Sequence, residues 1–139
     1  MRQRAGQRAG QRAGQRAGTV AEVAARSRSL GEASYELADF LHAFQREPGL
    51  GRLEEEPVLL REKFAEGDVV DAYLAAVAAS LALEKGWEAP RWTGAPCRFL
   101  KQPWFAAPGG AMRACLLLES PARFRERNLF VTANALSVA

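Results

Sequence analysis

The segment DVVDAYLAAVAASLALEKG, residues 68–86, constrains this chain more than any other, because its apolar residues keep helical spacing over the longest run with a legible start and stop. Asp68 is placed to cap a helix, with Asp71 at its third position. Val70, Tyr73, Leu74, Val77 and Leu81 recur at intervals of three and four, and Gly86 follows Glu84 and Lys85 where a left-handed residue closes a helix. The other side is lined by Ala72, Ala75, Ala76, Ala78, Ala79 and Ala82, small enough for a second helix to come close. A helix apolar on one side and alanine-lined on the other needs neighbours on both. The spacing therefore predicts a central helix with the rest of the chain wrapped around it.

The flanking sequence supplies those neighbours. Thr19-Val-Ala-Glu22 has the form of a capping box, and Ser29-Leu-Gly-Glu32 repeats it. A short helix over 20–28 and a longer one over 32–47 follow, the second placing Ala33, Leu37, Phe40, Leu41 and Phe44 on one face before Pro48-Gly49 ends it. Residues 49–56 read as a loop. Pro57 suits the first turn of a third helix carrying Leu59, Leu60 and Phe64 inward, with Glu54, Glu55 and Glu56 complementing its positive end. After an aromatic connector and a turn near Phe99 and Leu100, residues 111–119 read as a buried helix. Ser120-Pro121 restarts the chain as cap and first helical residue, and Leu129-Phe130-Val131 is extended before a last turn opened by Thr132. The fold class expected is all-α, a compact bundle of about five to six short helices.

Ahead of this domain, residues 3–18 are four copies of QRAG. A glycine every fourth residue and no apolar face predict a disordered basic tail over 1–18 and a single domain over 19–139. The tail matters for the charge. Five arginines fall within it and no acid, so the net charge of +3 becomes 14 basic against 16 acidic residues from Thr19 onward. The pI of 9.2 is thus a property of the tail, not of a domain surface. Arg4, Arg8, Arg12 and Arg16 are weak candidates for contact with nucleic acid, against the alternative that the repeat is a translated short DNA repeat or a start-site artefact.

Chemistry-bearing patterns are sparse. The one histidine, His42, has no cysteine or serine partner recognisable in the sequence, and no Walker loop, dinucleotide fingerprint or nucleophile elbow occurs. Cys97 and Cys115 lie in different elements without metal-ligand spacing, so they are expected to be reduced and mostly buried, with no metal and no cofactor. No secretory h-region and no apolar run of membrane-spanning length are present, which leads us to expect a cytoplasmic, membrane-free protein that is not an enzyme. Two features remain for binding. All three tryptophans lie between Trp87 and Trp104, and Trp92, Trp104 and Phe105 either line a partner groove or seal helix ends. Arg123, Arg125 and Arg127 crowd the turn around Phe124, contacting either phosphate or a partner, or local acids such as Glu119 and Glu126.

Four blocks together resemble a known pattern: Asp71-Ala-Tyr-Leu-Ala-Ala-Val-Ala, then Trp92, then Arg98-Phe-Leu with Pro103-Trp-Phe, and Glu119-Ser-Pro-Ala-Arg-Phe-Arg-Glu-Arg-Asn128-Leu-Phe-Val. The order resembles a family of small bacterial helical proteins and regulator C-terminal modules, over residues 19–139. Some members follow a helix-turn-helix domain, and many accompany nucleotidyltransferase-like proteins in toxin–antitoxin-type gene pairs. The resemblance implies a non-enzymatic protein–protein interaction module, an antitoxin-type partner of a nucleotidyltransferase-like toxin, with no catalytic residue to carry over. The chain departs from the pattern in having Glu126 where a third arginine is usual, and in lacking the helix-turn-helix module. The alternative is a transcription-associated regulatory module whose basic arm contacts nucleic acid.

Overall fold

The computed structural model describes residues 16–106 and 110–136; Arg4, Arg8 and Arg12, and with them most of the expected tail, lie outside the described residues. Among the described residues the architecture is mostly helical, with six α-helices: α1 (Val20–Arg26), α2 (Leu30–Arg46), α3 (Gly51–Glu54), α4 (Gly67–Glu84), α5 (Gly110–Glu119) and α6 (Ala122–Arg125). Two 3-10 turns, Arg91–Gly94 and Pro96–Arg98, follow α4, and two short strands, β1 (Trp104–Phe105) and β2 (Leu129–Phe130), pair in parallel. The expected helical class holds, and the strand pair is a local addition to it.

The first two helices form as their caps dictate. Thr19 accepts the Glu22 N–H while the Glu22 carboxylate accepts the Thr19 N–H, the full capping box, and Ser29 accepts the Glu32 N–H. In the second cap the Glu32 carboxylate reaches one residue further back, to the Arg28 N–H at 2.7 Å. Order begins ahead of Thr19, however. Ala17 is fully buried, Arg16 lies 4.0 Å from Asp39, and the Gly18 carbonyl accepts from Arg52 at 2.7 Å, so the end of the last QRAG copy belongs to the fold.

Helix α4 is the core. Thirteen of its 18 residues are buried, alanines and large aliphatics alike, so it is enclosed on all sides. Around it pack α2, α6, both 3-10 turns and β2. Gly86 takes the left-handed conformation expected of it, at φ 77°.

The start of α4 differs from expectation. Its N-cap is Glu66, at φ 67°, and Asp68 sits one residue inside the helix, accepting the Val69 N–H. The cause is the close approach of the preceding segment: a Cβ on Gly67 would lie 1.9 Å from the Leu60 carbonyl oxygen, so only glycine fits there. Asp71 is thereby not a capping residue but a fully buried one.

Residues 57–66 form no helix, although Pro57 and three apolar residues suggested one. Their backbone finds partners on other elements instead: the Leu60 N–H donates to Asp71 Oδ1 at 2.7 Å, and the Pro57 carbonyl accepts from Arg98 at 2.6 Å. Leu60 is buried, but Leu59 and Val58 are exposed. Conversely, the expected loop over 49–56 contains α3, which buries Leu53 completely.

Three further corrections fall in the C-terminal third. Helix α5 is not a buried helix: Leu116 is enclosed, while Met112, Leu117 and Leu118 face outward, and Cys115 is exposed rather than buried. Ser120 does not cap α6. Its hydroxyl donates to the Leu129 carbonyl at 2.8 Å and accepts the Val131 N–H at 3.2 Å, which ties the end of α5 to β2, and Pro121 takes the N-cap position. Asn128, at φ 64°, turns the chain into β2 and donates its side-chain amide to the Leu100 carbonyl at 2.8 Å.

Candidate functional site

Three places concentrate polar or aromatic side chains: a buried ionic node beneath the 57–66 segment, the arginine turn of α6, and a groove between α2 and α4. Of these, the groove is the open apolar surface.

The node is built on Arg98, delivered by the second 3-10 turn and fully buried. Its guanidinium donates to the carbonyls of Pro57 and Asp71 and to the Glu56 carboxylate at 3.2 Å, lies 3.8 Å from Asp71 Oδ1, and stacks 4.9 Å over the Trp92 ring. Asp71 also accepts from Arg61 Nε at 3.4 Å. Burial pushes the Asp71 carboxyl above the ordinary carboxylate range, against the pull of the Leu60 N–H, Arg98 and Arg61. An ion pair this enclosed specifies how segments meet and is sensitive to loss of either member. Glu56 thus serves Arg98 rather than the dipole of a helix that does not exist.

Trp92 belongs to this node. It is buried, and its indole N–H donates to the Leu53 carbonyl at 2.9 Å, so it seals the core and is withdrawn from the surface that sequence reasoning offered to a partner.

The arginine turn is likewise mostly structural. Arg127 is buried: Nη1 donates to the Arg123 carbonyl and the Glu126 carboxylate, both at 2.7 Å, and Nη2 to the Thr93 carbonyl at 2.6 Å. Its guanidinium lies 4.5 Å over the Phe99 ring. Burial lowers its pKa, and Glu126 opposes that. Glu126, the residue that departs from the arginine-rich pattern, is what pairs Arg127, and Arg123 joins it at 3.4 Å. Arg125 alone points to solvent as an exposed residue. Arg123, Arg125 and Arg127 therefore form no common binding surface. Local pairing accounts for Arg127, while Arg123 pairs with Glu126 and keeps 40% of its side chain exposed.

Trp104 and Phe105 are brought to the opposite faces of the β1–β2 ribbon. Phe105 stacks on Phe130 with ring centroids 4.9 Å apart, and Arg113 of α5 lies 4.9 Å over it. Trp104, anchored by an indole N–H to Glu66 at 3.2 Å, faces the other way and forms a wall of the groove.

That groove measures about 540 Å³. Leu30, Ala33, Leu37 and Leu41 of α2 form one side, and Val70, Tyr73 and Leu74 of α4 the other. Trp104, Ala106, Val131 and Ala135 close the end. His42, Ser34, Thr132 and the Tyr73 phenol are the polar side chains in its walls. Tyr73 is enclosed against Phe124 at 5.0 Å, and burial raises its phenol pKa. Such a surface can bind an apolar helix face or an apolar ligand; it offers no nucleophile and base in hydrogen-bond contact. Among the described residues, no group of three or more His, Cys, Asp or Glu is placed to hold a metal ion, and no helix is long and apolar enough to cross a membrane.

The groove was not read from the sequence. Leu37 and Leu41 have the spacing of the α2 core stripe, and only the tertiary arrangement shows that part of this stripe lines a groove shared with α4. A second row on α2, Leu30, Ser34, Ala38 and Leu41 at spacings of three and four, was the available signal.

Compared with models of known protein families, with curated proteins and with solved structures, the chain matches none.

Proposed function

We propose that this chain is a non-enzymatic helical interaction module that receives an apolar helix of a partner protein in the groove between α2 and α4. The observation that carries the reading is the groove itself, about 540 Å³ in volume and lined mainly by aliphatic and aromatic side chains. Helix-in-groove recognition uses such surfaces, reading anchors at intervals of three and four residues. The resemblance of the DAYLAAVA, PWF and ESPARFRERNLFV blocks to companions of nucleotidyltransferase-like proteins supports an antitoxin-type role in the cytoplasm, with the partner a nucleotidyltransferase-like toxin.

The test is a calorimetric titration of the full chain with the nucleotidyltransferase-like protein encoded beside it. The reading expects saturable binding that is weakened at least tenfold by Ala38→Glu, a change at an exposed groove residue that leaves the fold intact. A locus that encodes no such neighbour, or a neighbour that does not bind, overturns the reading.

A further inference from the structure

Among the described residues, two that are not glycine adopt the left-handed backbone conformation, Glu66 at φ 67° and Asn128 at φ 64°. That conformation is unfavourable for any residue with a Cβ, and less so for asparagine, whose short amide bonds locally, than for glutamate. The two lie far apart in the sequence, yet both converge on Trp104. The Asn128 carbonyl accepts the Trp104 backbone N–H at 2.8 Å, and the Glu66 carboxylate accepts its indole N–H at 3.2 Å. One holds the main chain of Trp104 and the other its ring.

Asn128 has a structural reason to be where it is, since it turns the chain into β2 and bonds the Leu100 carbonyl. Glu66 has none of that kind. Its side chain makes no capping bond to α4, and the residue is exposed. Water can accept from the indole N–H of the half-buried Trp104 as well as a carboxylate can, and glycine would adopt φ 67° at no steric cost. What glutamate adds at this position is direction. The ring it directs lines the groove and two neighbouring clefts, one reaching Lys101 and Gln102, the other Phe105 and Arg113. The backbone of β1 is fixed on either side, by Asn128 and by the Ala106 N–H, which donates to the Phe130 carbonyl at 3.0 Å. Rotation of the Trp104 side chain alone therefore decides which of the three surfaces is open at that point.

We propose that Trp104 is the specificity-determining residue of the groove, closing its end and so limiting the length of helix it accepts, and that Glu66 is the positioning residue that holds the indole there. The proposal rests on the reading of the groove as a helix-docking site and names what bounds its occupant. Local backbone strain persists where it orders a residue that binds, and here the strained residue touches the binding residue directly. Glu66 thus trades stability for order at Trp104. The consequence is a variant that is more stable than the natural chain and binds less well, the opposite of what loss of a merely structural contact produces.

Glu66→Gly in the full chain tests this, with the Trp104 indole N–H signal assigned by its loss in Trp104→Phe. The melting temperature is expected to rise by about 2–4 °C, because relief of a left-handed glutamate outweighs one solvent-exposed hydrogen bond. In the same variant the indole N–H should lose heteronuclear NOE and exchange faster with water, and affinity for the nucleotidyltransferase-like protein encoded beside the chain should fall at least about tenfold. Glu66→Gln keeps an acceptor in place, so it should retain the indole signal of the natural chain and an affinity within about threefold of it. A melting temperature that falls with Glu66→Gly, an indole that stays as ordered as before, or a neighbour that binds both forms alike overturns the proposal, the last of these leaving the groove reading intact. The two readouts in the free protein keep the failures apart: an indole released by Glu66→Gly in a chain that binds no neighbour sinks the groove reading and supports the hold of Glu66 on Trp104.

Discussion

Arg98→Met is the substitution with the most to say about how this fold is held. The methionine fills much of the volume but leaves the Asp71 carboxylate fully buried with only the Leu60 N–H and a long contact from Arg61, 3.4 Å away, to satisfy it. The Pro57 carbonyl loses its donor, and Glu56 loses its partner. Removing one member of a buried pair costs about 3–5 kcal/mol, because the other is left uncompensated. For a domain of this size each kcal/mol is about 3–6 °C, so we expect a fall in melting temperature on the order of 10–20 °C at neutral pH, followed by circular dichroism and urea unfolding. Pairing Arg98→Met with Asp71→Leu removes the orphaned charge as well. The double variant should therefore be at least as stable as Arg98→Met alone, with a coupling of about 1–3 kcal/mol. A single variant that loses less than about 1 kcal/mol, or a cycle in which the two losses simply add, refutes the claim that this node joins the 57–66 segment to α4.

Other expectations follow from the same contacts. Asp71→Asn reports on the carboxyl whose pKa burial raises: a group bound more tightly to its proton in the fold adds stability that is complete below the ordinary 3.8 and is lost as pH rises through the raised folded value, so wild type should gain on the variant as pH falls across that window, and urea midpoints that move the opposite way would contradict it. Gly67→Ala drives a Cβ against the Leu60 carbonyl oxygen and should destabilise by about 3 kcal/mol or more, whereas Gly94→Ala, with nothing within 4 Å, should change the urea midpoint little. Arg127→Ala should lower stability by about 2–4 kcal/mol through its lost bonds to Thr93, Arg123 and Glu126, while Arg125→Ala stays within about 0.5 kcal/mol in the same unfolding assay.

How far the fold was legible depended on whether the deciding interactions were local. The caps at Thr19 and Ser29, the stripe of α2, the enclosure of α4 and the left-handed Gly86 are set by residues within one or two turns of each other, and the sequence shows them. The failures share a cause of the opposite kind. Pro57, Leu59, Leu60 and Phe64 have helical spacing, but the backbone there is satisfied by Asp71 and Arg98, 11 and 41 residues distant. Asp68 is a good capping residue, yet the contact of Gly67 with the Leu60 carbonyl moved the cap to Glu66. Helix α5 has the composition of a buried helix, and nothing local says that Leu116 is buried while Met112, Leu117 and Leu118 are exposed.

The candidate site divides in the same way. Trp104 and Phe105 were singled out by composition, and the first does line the groove. Trp92 and Arg127 were singled out on equal terms and proved to be core, because a tryptophan or an arginine in a sequence carries no mark of whether its polar atoms will meet a partner protein or a carbonyl such as those of Leu53 and Thr93. Val70 and Tyr73 have the spacing of ordinary packing residues, and Leu30 is marked only as part of a capping sequence. Their role in the groove depends on how α2 is placed against α4, which no periodicity encodes.

The claim that the groove is the working surface can be put to one spectrum. The three tryptophans give three indole N–H signals in a proton–nitrogen correlation map, and they sample different places: Trp104 the groove wall, Trp92 the sealed core beside Leu53, and Trp87 the ring contact with Phe44. On adding the proposed nucleotidyltransferase-like partner, the Trp104 signal and the methyl groups of Leu30, Leu37 and Val70 are expected to shift together while Trp92 and Trp87 stay in place. Shifts confined to residues outside the groove, with Trp104 unmoved at saturation, would contradict it.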